Sequence, residues 1–424
     1  MSLLMEHMIG LTDTAYLGRV GEVELGASAL AGVYYLVIYM LGFGFSIGAQ
    51  VLIARRNGAQ EYKRIGPVFL QGTFFLLLLA ALLFTFSHLY SPFFLRKLID
   101  SDGVYQATME YVDWRVYGFF FSFVAVMFRA FYVGITKTRI LTINSVVMVL
   151  TNVMLNYVLI FGKFGLPALG IAGAAMATAM GQIIGGTIPL VYFLRKNSSS
   201  LRLRRPKWDG GALRRACTNG VSELMSSISM SIVGMLYNAQ LMRYAGENGV
   251  AAYGTIMYVD FIFLAIFIGY ATGVAPVISY HYGAGNKKEL NNLLKRSVVL
   301  IAAASLSMLL LSEVMAAPLA AIFVGYDAGL LDMTVHAYSI YAVSFLFCGF
   351  SIFSSAFFTA LGDGLTSALI AFLRTLVFES ASVIILPLLL GLNGIWGAII
   401  VAECMSVTVS VIFLVAKRKR YQYF

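Results

Sequence analysis

Long apolar runs alternate with short polar breaks along this whole chain. Twelve runs can be drawn, at roughly 1–17, 30–54, 66–90, 110–134, 141–162, 170–194, 217–242, 250–279, 297–324, 335–361, 366–391 and 394–416. Each is close to the 20 residues or so that a helix needs to cross a hydrocarbon layer of roughly 30 Å. Strands of a membrane barrel are about half that length and alternate in polarity. The pattern predicts an all-α polytopic membrane protein with twelve transmembrane helices, each satisfying its own backbone polar groups. The stretch 170–186 is rich in Gly and Ala, which suits close helix packing in lipid.

The longest polar break, 196–215, contains Asn197-Ser198-Ser199-Ser200 and a basic run, and it lies at the midpoint of the chain. Around it the sequence repeats. A shift of 225 carries Gly21-Glu22 onto Gly246-Glu247, Ala27 onto Ala252, Gly44 onto Gly269, Gly48 onto Gly273, Gly58-Ala59 onto Gly283-Ala284 and Lys63 onto Lys288. A looser match at 224 pairs Gly170-Ile171-Ala172-Gly173-Ala174 with Gly394-Ile395-Trp396-Gly397-Ala398. The reading is an N-lobe over 1–195, a cytoplasmic linker over 196–215 and a C-lobe over 216–424. Two six-helix lobes entering the membrane in the same sense form a parallel repeat. Met1 falls on Ser226, about nine residues after the expected start of helix 7 at Cys217, so the first turns of helix 1 are expected to be missing.

Composition agrees with the pattern. The chain is 60% hydrophobic and 12% charged, against roughly 45–50% and about 25% in soluble domains. The net charge of +10 raises the question of nucleic acid, but its placement answers it. Of 30 Lys and Arg, 22 fall in the even-numbered loops and the C-terminal tail, and only five in the odd-numbered loops. By the positive-inside rule this places both termini in the cytoplasm, in a multi-pass plasma (inner) membrane protein whose charge records topology. The lipid bilayer is the expected partner and nucleic acid is not. Cys217, Cys348 and Cys404 lie in apolar segments and suggest no disulfide framework. No basic start or small-residue cleavage site marks a signal peptide.

One acid stands out against this background. Before Asp13 only Ser2, Glu6, His7 and Thr12 are polar, and no Lys or Arg lies within a helical turn of it. A carboxylate in hydrocarbon costs several kcal/mol and so usually lines an ion or substrate path. The alternative is a helix-end acid at the lipid headgroups, since Gly18 and Arg19 follow closely. Local sequence leaves both open.

The chain resembles the multidrug and toxic compound extrusion (MATE) family over essentially its whole length. The resemblance rests on Asp13-Thr14 with Gly18-Arg19-Val20-Gly21, Gly48-Ala49-Gln50, Gly58-Ala59, and Arg129-Ala130 with Gly134. It continues in Asn152-Val153-Met154-Leu155-Asn156 and Leu169-Gly170-Ile171-Ala172-Gly173-Ala174-Ala175. In the second half it is carried by Val250-Ala251-Ala252-Tyr253-Gly254, Tyr282-Gly283-Ala284 and Gly394-Ile395-Trp396-Gly397-Ala398, and there it looks like the MepA-like branch. The resemblance implies two six-helix lobes forming a V around a central cavity. It also implies export of organic, often cationic, compounds against entry of protons or sodium.

The same resemblance implies an N-lobe cation site at Asp13, Asn152 and Asn156. The i, i+4 spacing puts both amides on one helix face. Burial disfavours an ionised carboxyl, which makes it a candidate proton acceptor, and amides supply either hydrogen bonds or hard oxygen ligands for sodium. Asn156 stands where an acid also occurs in the family, so one carboxylate is left and sodium is less well served. The purely structural alternative for Asn152 and Asn156 is interhelical hydrogen bonding. Asp13 falls on Asn238 under the repeat, which points to an ion site in the N-lobe alone. The C-lobe acids that some family members carry on helices 7 and 10 align with Met230 and Phe350 here.

Tyr34, Tyr35 and Gln50 on helix 2, Glu223 and Asn238 on helix 7, and Tyr253, Met257 and Asp260 on helix 8 are candidates for the substrate cavity. Aromatic faces attract organic cations. Tyr253, Met257 and Asp260, spaced i, i+4, i+7, share one helix face, and a flexible thioether adapts to varied ligands. Met230, Met235 and Met242 on helix 7 read as core packing, and Glu313, Glu379 and Glu403 have no assigned role. Gly44-Phe45-Ser46-Ile47-Gly48 fits the serine-hydrolase pattern G-x-S-x-G, but lies in a membrane helix and repeats without its serine, so helix packing explains it. No Walker A motif suggests an ATP-driven pump.

The leading reading is thus a monomeric secondary antiporter with no catalytic residues and no cofactor beyond its coupling ion. A lipid-linked oligosaccharide flippase of the wider superfamily is the alternative. It requires a basic cavity, for which Arg115, Arg129 and Arg374 are the intramembrane candidates. An intramembrane enzyme would need a nucleophile–base pair or a metal cluster, which four scattered His do not supply.

Overall fold

The computed structural model describes residues 9–10, 12–13, 15–99, 101–135, 139–194, 208–325 and 327–423, and among them there is no strand. Helix α1 is seen at residues 9–10, 12–13 and 15–17. It is followed by α2 (Glu22–Gly58), α3 (Tyr62–Leu98), α4 (Asp102–Arg115), α5 (Phe119–Gly134), α6 (Arg139–Phe161) and α7 (Gly170–Leu194). Then come α8 (Gly210–Gly283), α9 (Lys287–Val324), α10 (Ala328–Ala342), α11 (Phe345–Ala360), α12 (Gly364–Phe372), α13 (Ser380–Leu390) and α14 (Leu392–Tyr421). A 3-10 turn at Val116–Gly118 joins α4 to α5, and a π-helical segment at Leu373–Glu379 joins α12 to α13.

Among the described residues nine helices are long and apolar enough to cross a membrane, and the pair α10 and α11, bent by 50°, makes a tenth. Helix α8 supplies two passes, because it breaks at Gly246 with φ 61° and ψ −151°. That combination is essentially open only to glycine. With α1 these account for the twelve expected segments. Prolines 67, 92, 189, 276, 318 and 387 lie inside helices, as lipid-embedded helices permit. Asn286, Asp327 and Asp363 cap α9, α10 and α12, each side chain accepting a backbone N–H of the first turn.

The chain forms two compact units, Met1–Cys217 and Thr218–Phe424. The core of the first includes Leu17, Leu76, Phe123, Met127 and Phe128, and that of the second Tyr237, Phe345, Phe357, Phe358 and Trp396. Large apolar side chains such as Val314, Leu388 and Leu389 lie on the surface, an arrangement that water penalises and a bilayer covers. Of the expected linker, 196–207 lies outside the described residues, and 210–215 forms the first turns of α8. There Arg56, at the end of α2, donates to Asp209 Oδ2 at 2.8 Å and to the Arg64 carbonyl at 2.7 Å. A Cβ on Gly48 would sit 1.9 Å from the Ala216 carbonyl oxygen, so the glycine of the hydrolase-like pattern serves close helix packing. Its repeat partner Gly273 meets no such neighbour.

Candidate functional site

Asp13 is turned into the first unit and is only 4% exposed, so it is buried among side chains of that unit rather than on its surface. Its two oxygens face different partners. Oδ1 accepts from the side-chain amides of Asn156 at 2.6 Å and Asn152 at 3.2 Å. Oδ2 accepts from the hydroxyls of Thr178 at 2.7 Å and Tyr111 at 3.4 Å, and the Arg115 guanidinium lies 3.7 Å away. The three residues singled out in the sequence are thus brought together, with Asn152 and Asn156 fully buried one turn apart on α6. Asn152 also donates to Thr178 at 2.9 Å, and Asn156 to the Asn152 carbonyl at 3.1 Å.

Arg115, Tyr111 and Thr178 did not emerge from local sequence. They come from α4 and α7, 98 to 165 residues away from Asp13 along the chain. The lack of a basic residue near Asp13 in sequence is made good in space. Arg115 was visible as one of three intramembrane arginines, and the tendency of such charges to pair was the available clue. It donates to the Tyr111 hydroxyl at 2.5 Å and lies 4.7 Å over the ring of Tyr35.

This packing also corrects the reading of Tyr35. Its ring, expected to receive an organic cation, receives Arg115, and its hydroxyl donates to the Val112 carbonyl at 3.3 Å. The Tyr34 hydroxyl bonds Ser87 at 2.7 Å, and Gln50 is buried. In the second unit Tyr253 is buried and stacks on Tyr237 at 4.8 Å, Met257 packs against the core, and Asp260 is buried. Asn238 is exposed and Glu223 half-buried. Met230, Met235 and Met242 are exposed and not part of the core. His281 lies in the last turn of α8. The basic cavity of the flippase reading loses two of its three candidates, since Arg115 faces Asp13 and Arg374 pairs with Glu403 at 2.6 Å.

The chemistry available at Asp13 follows from this donor set. As a carboxylate it accepts from four neutral groups and balances one guanidinium. Adding a proton turns one oxygen into a donor, so at least one of the groups aimed at it must reverse its hydrogen bond or turn away. The proton also cancels the charge that faces Arg115. Proton uptake at this carboxyl therefore rearranges hydrogen bonds among side chains of α1, α4, α6 and α7.

Known proteins match the whole chain. The MatE family profile matches residues 1–158 and 224–382. The probable multidrug resistance protein NorM of Thermotoga maritima is 22% identical over 420 residues, spanning 97% of this chain and 89% of the relative. The multidrug export protein MepA of Staphylococcus saprophyticus is 25% identical over 435 residues, spanning 98% and 91%. A crystal structure of MATE in the bent conformation superimposes with a TM-score of 0.91 at 21% identity, covering 99% of this chain and 92% of that one. An outward-facing multidrug resistance MATE transporter of the MOP superfamily gives 0.89 at 20%, covering 100% and 94%. With the twelve helices, the sequence repeat and a family match over well more than half its length, the chain belongs to the MatE family.

Proposed function

We propose that this protein exports small organic compounds, cationic ones among them, in exchange for protons, with Asp13 as the coupling carboxyl of the first unit. The observation that carries the reading is a buried carboxylate whose every partner is a donor, with Arg115 as its only close counter-charge among the described residues. The names of the relatives, multidrug resistance protein NorM and multidrug export protein MepA, support the substrate class. Protonation of Asp13 releases Arg115 and repacks α1, and this is the step that opposes substrate. Linkage requires the opposition to be mutual, so bound substrate must also disfavour the proton.

A sodium ion fits this donor set only if the amides and hydroxyls turn their oxygens towards it. It needs several oxygen ligands, whereas Asp13 Oδ1 faces two amide N–H groups, and Oδ2 faces two hydroxyls and a guanidinium. A cation entering there would also meet the charge of Arg115. The test is efflux of a fluorescent organic cation from vesicles carrying the purified protein, with proton and sodium gradients imposed separately. Efflux driven by the proton gradient in the wild type and reduced to background in Asp13→Asn is expected. Gradient-driven efflux in Asp13→Asn equal to wild type would remove Asp13 from coupling. Efflux driven by sodium alone would replace the proton as the coupling ion.

A further inference from the structure

The second unit contains a polar cluster that no role described so far uses. Arg374 directs two of its nitrogens at one oxygen of Glu403, Nε at 2.7 Å and a terminal nitrogen at 2.6 Å. Arg374 and Glu379 both belong to the π-helical segment Leu373–Glu379. A π turn brings residues i and i+5 together, where an α-helix would separate them by well over a right angle, and such turns recur at functional sites. Here the turn places the Glu379 carboxyl within electrostatic reach of Arg374 and Glu403. Asp260 arrives from α8, takes a hydrogen bond from the Tyr341 hydroxyl and is in reach of the same arginine. Three carboxyls therefore surround one guanidinium, and Asp260 and Glu403 are 5% and 1% exposed.

Two further observations point to a ligand. Glu403 Oε2 and the Tyr237 hydroxyl are buried without a hydrogen-bond partner among the described residues. Tyr237 is 1% exposed, and its strongest charged neighbour is Glu379. A buried hydroxyl left in this way is costly unless the group beside it takes a form that can bond it.

The repeat relates this cluster to the Asp13 cluster at one position: under the shift of 225, Tyr35, whose ring receives Arg115, falls on Asp260. Asn238 of α8 replaces Asp13, and the acids of the second unit come from elsewhere on α8, from the π-helical segment and from α14.

We propose that the second unit holds a proton-binding site of its own, formed by the Asp260 and Glu379 carboxyls beside the Arg374–Glu403 ion pair and independent of Asp13. Charge arithmetic drives this. The guanidinium balances one carboxylate, and further charges on the buried Asp260 and the half-buried Glu379 are costly in apolar surroundings. Protons remove that cost. The other groups facing the site are Tyr237 and Tyr253 from α8, Tyr338 and Tyr341 from α10, and Cys348 from α11, with Glu313 of α9 beyond Tyr338. None is cationic. A metal ion is not favoured, because no group of three or more His, Cys, Asp or Glu among the described residues is arranged to hold one.

The test is infrared difference spectroscopy of the full-length protein in lipid nanodiscs, following the C=O stretch of protonated carboxyls from about pH 9 to about pH 5. All variants carry Asp13→Asn, so the first unit is silent and other carboxyls cancel between samples. Adding Asp260→Asn or Glu379→Gln is expected to remove part of the titrating band, and adding both to remove the sum of the two losses. An unchanged band in the variant with both would overturn the proposal. Tyr341→Phe keeps the shape of the site and is expected to shift the Asp260 band, because the carboxyl loses a hydrogen bond. An unshifted band there would take Asp260 out of the site. Loss of the band on replacing potassium by sodium at fixed pH would overturn the proton as ligand. None of these readings depends on transport, so they stand or fall separately from the role of Asp13.

Discussion

Each unit holds a buried polar cluster, and the two resolve its charge in different ways. In the first unit Asp13 faces Arg115, one negative charge against one positive, and neutral donors from α4, α6 and α7 occupy the remaining lone pairs. In the second, Arg374 pairs with Glu403, and Asp260 and Glu379 stand within its electrostatic reach with no ion pair of their own among the described residues. The first arrangement is satisfied when ionised and is disturbed by a proton. The second carries an excess of carboxyls and is relieved by one. A duplicated fold thus does not duplicate its chemistry, because the buried acids come from different helices in the two units.

The sharpest way to break the comparison is to remove each arginine. Deleting one member of a buried ion pair costs about 3–5 kcal/mol. Arg374→Gln is expected at the upper end of that range and Arg115→Gln at the lower, measured as loss of thermal stability in detergent at neutral pH. The double variants separate the two sites further. Asp13→Asn with Arg115→Gln leaves a neutral set and should recover most of the loss. Glu403→Gln with Arg374→Gln should recover less, since Asp260 and Glu379 stay without a counter-charge. Equal recovery in both would show that the second cluster carries no excess charge.

A smaller effect separates the units at their matched glycines. Gly246 holds φ 61° and ψ −151°, whereas its repeat partner Gly21 is extended at φ 174° and ψ 166°. Gly246→Ala should cost about 1–3 kcal/mol. At Gly21 a Cβ would meet only the movable carboxylate of Glu24, so Gly21→Ala should change stability by less than about 0.5 kcal/mol. Equal effects on the melting temperature would mean that the break in α8 is not set by this backbone conformation.

Much of this was legible in the chain because hydropathy and spacing are local. The twelve segments follow from run length, and Asn152 and Asn156 share a face because they lie one turn apart. What sequence could not supply was the partner of each intramembrane charge. Arg115 read as a free cation for a basic cavity and Tyr35 as a face for substrate, yet they meet each other. The stripe of Tyr253, Met257 and Asp260 is real as a helix face, but Tyr253 is taken up by Tyr237 and Asp260 by Tyr341. Arg374 and Glu379, five residues apart, belong on different faces of an α-helix, and only the π turn unites them. Local periodicity assumes one helical pitch throughout and so misplaces residues where the pitch changes.

The smallest expected difference lies outside the membrane spans, where each unit fixes a helix start with an acid. Asp209 precedes α8, accepts from the Ala212 N–H at 3.0 Å and binds Arg56 at 2.8 Å. Asp363 precedes α12, accepts from the Thr366 hydroxyl at 2.8 Å and binds Lys417 at 2.6 Å. The Arg56 hydrogen bond, helped by that N–H, holds the Asp209 carboxyl below the ordinary carboxylate range. Burial pushes the Asp363 carboxyl up, but the bonds from Lys417 and Thr366 outweigh it and the net direction is also down. A depressed carboxyl stabilises the fold above its unfolded value and loses that contribution as pH falls through the folded one. Both pairs should therefore act in full at neutral pH and fade only below about pH 4. Solvent screening separates them, since the Asp209 side chain is 42% exposed and that of Asp363 10%. Asp363→Asn should cost about 1 kcal/mol and Asp209→Asn clearly less, with both deficits closing in acid and the Asp209 deficit shrinking further in high salt. A melting-temperature deficit that persists unchanged in acid would mean that the charge of the acid is not what holds the helix start.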